Sequence, residues 1–425
     1  MAQGRIFTRD FVIVMGITFF CVMNYFFLLL NITSFAETEF GADPSLGGVA
    51  AGIYVIGGLL SRLFIGKYIE LVGRKRMLLS GMAFALFMSL SYFFVDSYHM
   101  LVAVRFLHGM AYGITSTCSS DIAAKLIPPE RRGEGLGYYG LCFTVASAVG
   151  PLIGMWMGSD DIYDDVFTAG ILMYVLAMVL ALAIRVPEEE LTEEQKAEAR
   201  SFDPRNLFEA SALPLALTVM VFYFAYSGVM SFISSYTGGT GLEGAATFFF
   251  IAVAVGTLVS RLNAGRIFDQ KGPNRVMYPA FLAFIAGMAL YATTGSPAVF
   301  LFSGFLIGIA IAIVFSTLQA IVVARSPPRR YGVTTSTFSA LSDLGSGVGP
   351  MVLGAVITAR GFSDMYLACS CIAAVSMLMY WAIYGRRNGN RPGRDIRQVK
   401  DRRCWGRDLN ARTTKDRILS PASLA

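Results

Sequence analysis

The sequence predicts an all-α membrane protein in which twelve transmembrane helices form two pseudo-symmetric six-helix bundles. The first observation is composition: of 425 residues, 55% are hydrophobic and 15% are charged, which is too little charge for the surface of a soluble protein of this size. The second is a series of twelve apolar runs, each long enough to cross a bilayer as a helix. The third is a repeat that relates the two halves of the chain.

The apolar runs are predicted to be helices, because a helix satisfies its own backbone hydrogen bonds in lipid. They do not show the alternating pattern of a membrane β-barrel. The predicted spans are 11–33, 46–66, 76–96, 99–124, 134–158, 166–186, 211–232, 245–265, 276–294, 298–323, 332–358 and 364–384.

The charged residues give these helices an orientation. Of the 35 Lys and Arg residues, 21 lie near the N-terminus or near the connections that follow even-numbered helices, and 12 follow Tyr384. We call this the basic side. Because cytoplasmic loops are enriched in Lys and Arg, both termini are predicted to be cytoplasmic. The opposite side, here called the acidic side, carries Glu37, Glu39, Asp43, Asp96, Asp160, Asp161, Asp164, Asp165, Glu243 and Asp364.

A repeat with an offset of 199 residues relates the first six helices to the last six. It runs through both halves without a gap. Parallel repeats of this kind are typical of transporters whose halves rock about a site near the middle of the membrane. The matched positions include Arg62 and Arg261, Gly66 and Gly265, Gly73 and Gly272, Pro128-Pro129 and Pro327-Pro328, and Gly150-Pro151 and Gly349-Pro350.

The repeat also gives the domain boundaries. Residues 1–186 are predicted to form the N-terminal bundle and residues 211–384 the C-terminal bundle. The segment between them, 187–210, is rich in Glu, Lys and Ala and is predicted to be a cytoplasmic linker with a short helix. Residues 385–425 form a basic tail that we expect to be disordered, either lying on anionic lipid or serving only to keep the chain soluble.

Three short signatures occur in this helix order. Gly66-x-x-x-Glu70-x-x-Gly73-Arg74 joins helices 2 and 3, Arg105-x-x-His108-Gly109 lies in helix 4, and Gly150-Pro151-x-x-Gly154 lies in helix 5. Together they resemble the signatures of the major facilitator superfamily over residues 1–384. The resemblance implies that superfamily's fold, and the helix-5 pattern resembles its exporters, including bacterial drug and small-molecule exporters of the proton-antiporter type.

The connection between helices 2 and 3 is predicted to form a gate on the basic side. Gly66 and Gly73 allow a close helix approach and a tight turn. Arg74 can reach Asp121 near the same end of helix 4. The resemblance implies a lock that holds helix 2 against helix 11 in the outward-open state. The alternative is that the basic residues of this loop only determine topology.

This loop departs from the family pattern at two positions. Glu70 stands where the family usually has Asp, and Leu71 stands where it usually has Arg. The partner of Glu70 is therefore left open. The counterpart of the loop in the second half consists of Gly265, Asp269 and Gly272.

Ionisable residues inside the spans are costly and are therefore functional candidates. Apart from Asp121, they are Arg105 and His108 in helix 4 and Asp343 in helix 11. His108 titrates near physiological pH when unperturbed, and an acid isolated in helix 11 suits proton uptake and release. We hypothesise that Asp343, Arg105 and His108 couple proton flow to transport. The alternative is that they are hydrogen-bonded structural groups.

The resemblance implies a substrate cavity lined by helices 1, 4, 7 and 10. Polar and aromatic residues lie at helical spacing on these helices, although such stripes also occur where helices simply pack. No acidic pair or basic cluster marks this cavity, which favours a neutral, cationic or amphipathic substrate over a polyanion. The candidate cavity residues are Asn24, Asn31, Tyr112, Tyr223, Tyr226 and Gln319.

Small residues in helices 5 and 11 are predicted to form hinge and sealing surfaces between the halves, or else to serve simple close packing. They are Gly150, Pro151, Gly154, Gly349 and Pro350.

The predicted function is proton-coupled efflux of a small organic molecule, a drug or a metabolite, by alternating access. The alternatives are proton-coupled uptake of a sugar, osmolyte or organic acid and, more remotely, a membrane sensor that transports nothing. The sequence contains no catalytic triad, metal motif or phosphate loop, so we expect no enzymatic activity, no cofactor, no metal and no nucleic-acid partner. We expect a monomer in the cytoplasmic (inner) membrane of a bacterium, driven by the proton gradient.

Overall fold

The computed structural model describes residues 5–128, 132–157, 163–186, 209–238, 240–326 and 331–390. Within these ranges the chain forms twelve long helices and no strand. A 3-10 turn follows α3, and a π-helical turn, Trp381–Gly385, extends α12. The helices are α1 Arg9–Phe40, α2 Pro44–Val72, α3 Arg74–Ser91, α4 Tyr98–Leu126, α5 Arg132–Met157, α6 Tyr163–Ala183, α7 Leu213–Thr237, α8 Glu243–Lys271, α9 Asn274–Thr293, α10 Pro297–Arg325, α11 Tyr331–Arg360 and α12 Phe362–Tyr380.

The helix ends follow from local sequence. The Thr8 hydroxyl accepts the Phe11 backbone N–H at 3.2 Å at the start of α1, and the Asp43 carboxylate accepts the Leu46 N–H at 2.9 Å at the start of α2. Such caps satisfy backbone donors that have no partner inside the helix. At the other end of α2, Gly73 has a φ of 95°, and its repeat partner Gly272, after α8, has a φ of 86°. Gly73 thus lies at a tight turn, as predicted, and Gly272 lies at the equivalent turn of the second half; glycine is the residue that adopts this conformation without strain.

Eleven of the described helices are long and apolar enough to cross a membrane by length and composition. The helix outside that set is α4, whose sequence is interrupted by Arg105, His108 and a run of Ser and Thr residues. These polar groups are largely buried, because α4 packs against α1, α2 and α3 of its own half. The all-helical, membrane-spanning prediction is confirmed, and the most polar helix lies inside a bundle.

The repeat is visible in the packing as well as in the sequence. A Cβ atom at Gly57 in α2 would overlap the Phe106 carbonyl oxygen in α4. At positions shifted by 199 residues, a Cβ atom at Gly256 in α8 would overlap the Phe305 carbonyl oxygen in α10. Both halves therefore bring the same pair of helices into backbone contact at the same level.

The two halves meet along what we call the seam, where α2 packs against α11, α1 against α7 and α5 against α8. On the acidic side the α2–α11 contact is made by backbone against backbone. Gly52 faces the Gly347 carbonyl oxygen, and Gly48 faces that of Pro350. The seam is thus closed on the acidic side.

Candidate functional site

An ion pair joins the two halves between the second half of α2 and the middle of α11. The Arg62 guanidinium in α2 donates from Nη1 to Oδ2 of Asp343 in α11, and from Nη2 to the Ser116 hydroxyl in α4 at 3.2 Å. The two charged side chains keep 29% and 28% of their surface exposed. The expectation that Asp343 is isolated in helix 11 is therefore wrong, because α2 places an arginine opposite it.

Three tyrosines form an aromatic layer beside this ion pair. The ring of Tyr25 in α1 stacks on the rings of Tyr54 in α2 and Tyr112 in α4, with centroids 5.4 and 5.5 Å away. The Arg62 guanidinium lies 5.8 Å from the centroid of the Tyr112 ring, and the Arg105 guanidinium lies 4.4 Å from that of Tyr54. The layer thus carries one cation at each end, and cations over tyrosine faces are favourable.

A second polar cluster lies entirely within the first half. Arg105 donates from Nη1 to the Tyr92 hydroxyl at 3.3 Å and from Nε to the Ala50 carbonyl at 3.1 Å. The same Tyr92 hydroxyl lies 3.1 Å from Nδ1 of His108, whose Nε2 lies 3.1 Å from the Tyr174 hydroxyl. Arg105 and His108 are fully buried, and no described carboxylate lies within ion-pair distance of Arg105.

The three residues hypothesised to couple protons therefore fall into two groups. Arg105 and His108 are linked through Tyr92, whereas Asp343 lies on the seam with Arg62. The aromatic layer separates the two groups. Arg105 and His108 are three residues apart in α4 and therefore lie on one face of it, but no local pattern could show which residue in the other half faces Asp343.

The candidate cavity residues of α1 do not line the seam. Asn24 is fully buried and donates to the Gly170 carbonyl in α6 at 2.9 Å. Asn31 donates to the Phe27 carbonyl in its own helix at 2.9 Å and lies against Gly154 of α5. Both amides satisfy backbone carbonyls where helices of one half pack together. The sequence reasoning missed Tyr25, one of the residues of α1 at the seam, although this tyrosine lies directly beside Asn24 in the chain.

The other predicted cavity residues lie closer to the expectation. Tyr112 contacts Arg62 as described. In the second half, the ring of Tyr223 lies 6.0 Å from that of Tyr226 and 5.7 Å from that of Phe315 in α10. Gln319, one turn beyond Phe315 in α10, is half-buried. Aromatic side chains from α4, α7 and α10 thus lie near the positions chosen for the cavity, and a substrate cavity lined by these residues stays a prediction.

The loop between α2 and α3 has part of its predicted geometry. Nε of Arg74, which is 5% exposed, donates to Oδ2 of Asp121 at 2.6 Å, linking α3 to α4. Lys75 donates to the Leu182 carbonyl in the last turn of α6 at 3.1 Å and to the Ile184 carbonyl, just after α6, at 2.8 Å. These contacts lie within the first half. The surroundings of Gly66, Glu70, Gly265 and Asp269 lie outside the part of the chain that is described.

The predicted hinge residues divide between two roles. Gly150 and Gly154 press α5 against α1 of the same half, and Gly349 presses α11 against α7 of the same half. The expectation that they seal the halves together is wrong for these three glycines, because they face within a bundle. Pro350 does reach the seam through its carbonyl oxygen, whereas Pro151 is an interior position of α5.

A second set of contacts crosses the seam on the acidic side. The Thr33 hydroxyl in α1 donates to the Ser231 carbonyl in α7 at 2.8 Å. One turn further, the Ser235 hydroxyl lies 2.9 and 3.1 Å from the two carboxylate oxygens of Glu37. The sequence placed Glu37 among the acids of this side but gave it no role.

Comparison with known proteins gives a consistent assignment. The family model described as Major Facilitator Superfamily matches residues 14–350 and 272–406. The staphylopine export protein of Staphylococcus aureus is 24% identical over 353 residues, covering 80% of this chain and 88% of that protein. The MFS-type transporter YhhS of Shigella flexneri, which has no assigned function, is 23% identical over 377 residues, covering 84% and 88%.

Solved structures match at the level of the fold. The nucleoside transporter NupG has a TM-score of 0.67 at 13% identity, with 88% of this chain and 99% of that chain covered. A bacterial homologue of the human lysosomal transporter Spinster, solved in an inward-facing and unoccupied conformation, has a TM-score of 0.71 at 15% identity, with 90% and 97% covered. At these identities the comparisons support the shared architecture alone.

Proposed function

The chain belongs to the major facilitator superfamily, and we propose that it is a secondary active transporter that exports a small organic molecule in exchange for protons. It is a multi-pass membrane protein, and the relatives and solved structures named above are transporters and not enzymes. The direction of transport, the proton coupling and the kind of substrate are the parts of this statement that we propose.

The observation that carries the proposal is the ion pair between Arg62 and Asp343. Arg62 belongs to the first half and Asp343 to the second, so the pair is sensitive to the relative position of the halves. A proton on Asp343 would remove its charge and with it the attraction across the seam. Binding of a proton would thereby favour separation of the halves at this level, which is what coupling requires.

The cluster around Arg105 supports a second role in proton handling. Arg105 donates a hydrogen bond to the Tyr92 hydroxyl. The Tyr92 hydroxyl can in turn donate to Nδ1 of a neutral His108, and Nε2 of His108 can donate to the Tyr174 hydroxyl. This hydrogen-bond network selects the His108 tautomer that carries its proton on Nε2. A charged His108 in the same place would face the buried Arg105 guanidinium. We propose that this cluster keeps α2 and α4 in register with the ion pair and responds when its charge changes.

Export is favoured over uptake by two observations of different kind. The staphylopine export protein is similar over most of both chains, although the identity is low. The glycine-proline pattern of α5 resembles the pattern in exporters of the family. Uptake of a sugar, osmolyte or organic acid is the competing function.

The test is transport by the purified full chain in proteoliposomes with an imposed pH gradient and a pH-sensitive dye inside. A transporter that exchanges substrate for protons changes the pH of the lumen only when a substrate is present. The direction of this pH change reverses when the imposed gradient is reversed. A deletion strain supplies the substrates to try: sensitivity to a compound with its intracellular accumulation supports export. Loss of growth on one nutrient, restored by the wild-type chain, would instead support uptake.

A further inference from the structure

The ion pair on the seam offers two opposite charges to a bound molecule. Arg62 and Asp343 each keep more than a quarter of their side-chain surface exposed, although Asp343 lies near the middle of α11 and Arg62 lies ten residues before the end of α2. Charged groups at such depth face the interior of a bundle or a water-filled space and not lipid. A molecule that enters the seam therefore meets a guanidinium on one wall and a carboxylate on the other.

Tyrosines border these two charges. The ring of Tyr25 in α1 stacks on that of Tyr112 in α4 with centroids 5.5 Å apart, and Tyr112 lies under the Arg62 guanidinium. The site thus combines an apolar aromatic wall with a few polar groups that fix orientation, as small-molecule sites do.

We propose that the transported molecule is an organic zwitterion whose carboxylate binds Arg62 and whose ammonium group binds Asp343. This inference rests on the proposed transport function and names its substrate class. When the halves part, the ion pair must open, and each partly buried charge then loses its partner, which is unfavourable. A zwitterion replaces both partners at once, whereas a cation leaves Arg62 uncompensated and an anion leaves Asp343 uncompensated.

The repeat limits the site to one such arrangement. The position that corresponds to Arg62 is Arg261 in α8, but the position that corresponds to Asp343 is Thr144 in α5. The Thr144 hydroxyl lies 3.4 Å from the Gly140 carbonyl of its own helix. Of these two equivalent positions, only that of Asp343 therefore carries a carboxylate that can bind an ammonium group.

The experiment measures binding to the purified full chain in nanodiscs with two matched sets of probes. One set is L-phenylalanine, its methyl ester, which keeps only the ammonium charge, and its N-acetyl derivative, which keeps only the carboxylate. The other set is L-alanyl-L-phenylalanine with the same two derivatives. In at least one set we expect the zwitterion to bind about 30-fold more tightly than either derivative. This is the ratio of dissociation constants expected when one hydrogen bond to a charged group is lost.

Single substitutions should remove this preference one charge at a time. With Arg62→Gln, the zwitterion and its methyl ester should bind equally, while the preference over the N-acetyl derivative persists. With Asp343→Asn, the pattern should be the opposite. Arg62→Lys should keep the preference in part, which would show that the site is still folded. Glu37→Gln, which neutralises another acid on the seam, is the control and should keep the full preference.

The outcomes separate this inference from the transport function. Equal binding of zwitterions and derivatives by the wild-type chain, or the same preference in Arg62→Gln and Asp343→Asn, would overturn the inference. Export of a neutral or singly charged compound that persists in both variants would also overturn it, while the proposed function stood. Charge-selective binding without any flux in proteoliposomes would support the site and overturn the transport function.

Discussion

The carbonyl oxygen of Gly347 in α11 faces Gly52 in α2 so closely that a Cβ atom at position 52 would overlap it. The overlapping atom belongs to the backbone and not to a flexible side chain, so a change of rotamer cannot relieve the overlap. Together with Gly48 against Pro350, this contact closes the acidic side of the seam. Alternating access requires the contact to form and to separate in each cycle.

Gly52→Ala should therefore weaken closure of the acidic side. Overpacking of this kind costs about 1–3 kcal/mol, which corresponds to roughly a 5- to 150-fold shift toward separated halves. The measurement is the rate at which a cysteine at Ser45, beside Gly354 on the seam, reacts with a water-soluble thiol reagent. Gly140→Ala is the matched control, because a Cβ atom there has no neighbour within 4 Å. Equal labelling rates in the two variants would contradict the role assigned to Gly52.

The hydrogen bonds between Glu37 and Ser235 should contribute to the same closure. Ser235→Ala removes both contacts to the carboxylate and should increase labelling at position 45 by about 10-fold, since bonds to a charged group contribute about 1.5–3 kcal/mol. Ser234→Ala, at the neighbouring position of α7, is the control. An increase of the same size in both variants would show that the effect belongs to the helix and not to this contact.

The ion pair between Arg74 and Asp121 should stabilise the first half and not the seam. Asp121→Asn leaves the nearly buried Arg74 guanidinium without its described carboxylate, and we expect a loss of about 1–3 kcal/mol in the free energy of unfolding. The double variant Arg74→Gln/Asp121→Asn should lose less than the sum of the single losses, because the two residues interact directly. Additive losses in thermal or denaturant unfolding would contradict a direct interaction.

Much of the architecture was predictable, because lipid leaves a chain few choices. Spans of about twenty apolar residues have to be helices, and an offset of 199 residues dictates two similar halves. The Gly73 turn and the Arg74–Asp121 contact were predictable for a local reason: both join segments that are close in the helix order. The paired glycines at 57 and 256 follow from the same repeat.

The site was less predictable, and two residues show why. Arg62 is 281 positions from Asp343 in the chain, and only the docking of the halves brings them together. Arg62 is one of the 21 basic residues that the sequence analysis assigned to the basic side, although it lies ten residues before the end of α2. In α1, all faces are apolar enough for a membrane helix. Hydrophobic periodicity therefore could not show whether the face with Asn24 and Asn31 or the face with Tyr25 lies toward the seam. Packing of α1 on α5 and α6 made that choice.

The Tyr92 hydroxyl should link Arg105 to His108 in function as well as in space. Tyr92→Phe removes the bridge to both residues, and a buried donor left without a partner costs about 1–3 kcal/mol. We expect slower proton-driven transport with unchanged binding of the substrate, because Tyr92 lies away from Arg62 and Asp343. Tyr174→Phe, which removes the contact to Nε2 of His108 alone, should have a smaller effect. A rise in substrate KM without a fall in rate would contradict this assignment.

Asp343→Asn should separate substrate movement from proton movement. The amide side chain would keep the size of the carboxylate and a hydrogen bond to Arg62 but could neither carry a charge nor take up a proton, so a pH gradient should no longer drive uphill transport. Exchange of labelled for unlabelled substrate needs no net proton movement and should continue at a reduced rate. The measurement is the ratio of the rate of gradient-driven transport to the rate of exchange in the same proteoliposomes. This ratio should fall at least about 10-fold relative to wild type, which corresponds to a free-energy change of about 1.4 kcal/mol. Asp121→Asn is the control, because that acid pairs within one half and should leave the ratio unchanged. An unchanged ratio in Asp343→Asn would show that the proton is carried elsewhere, and His108 would then be the next residue to test.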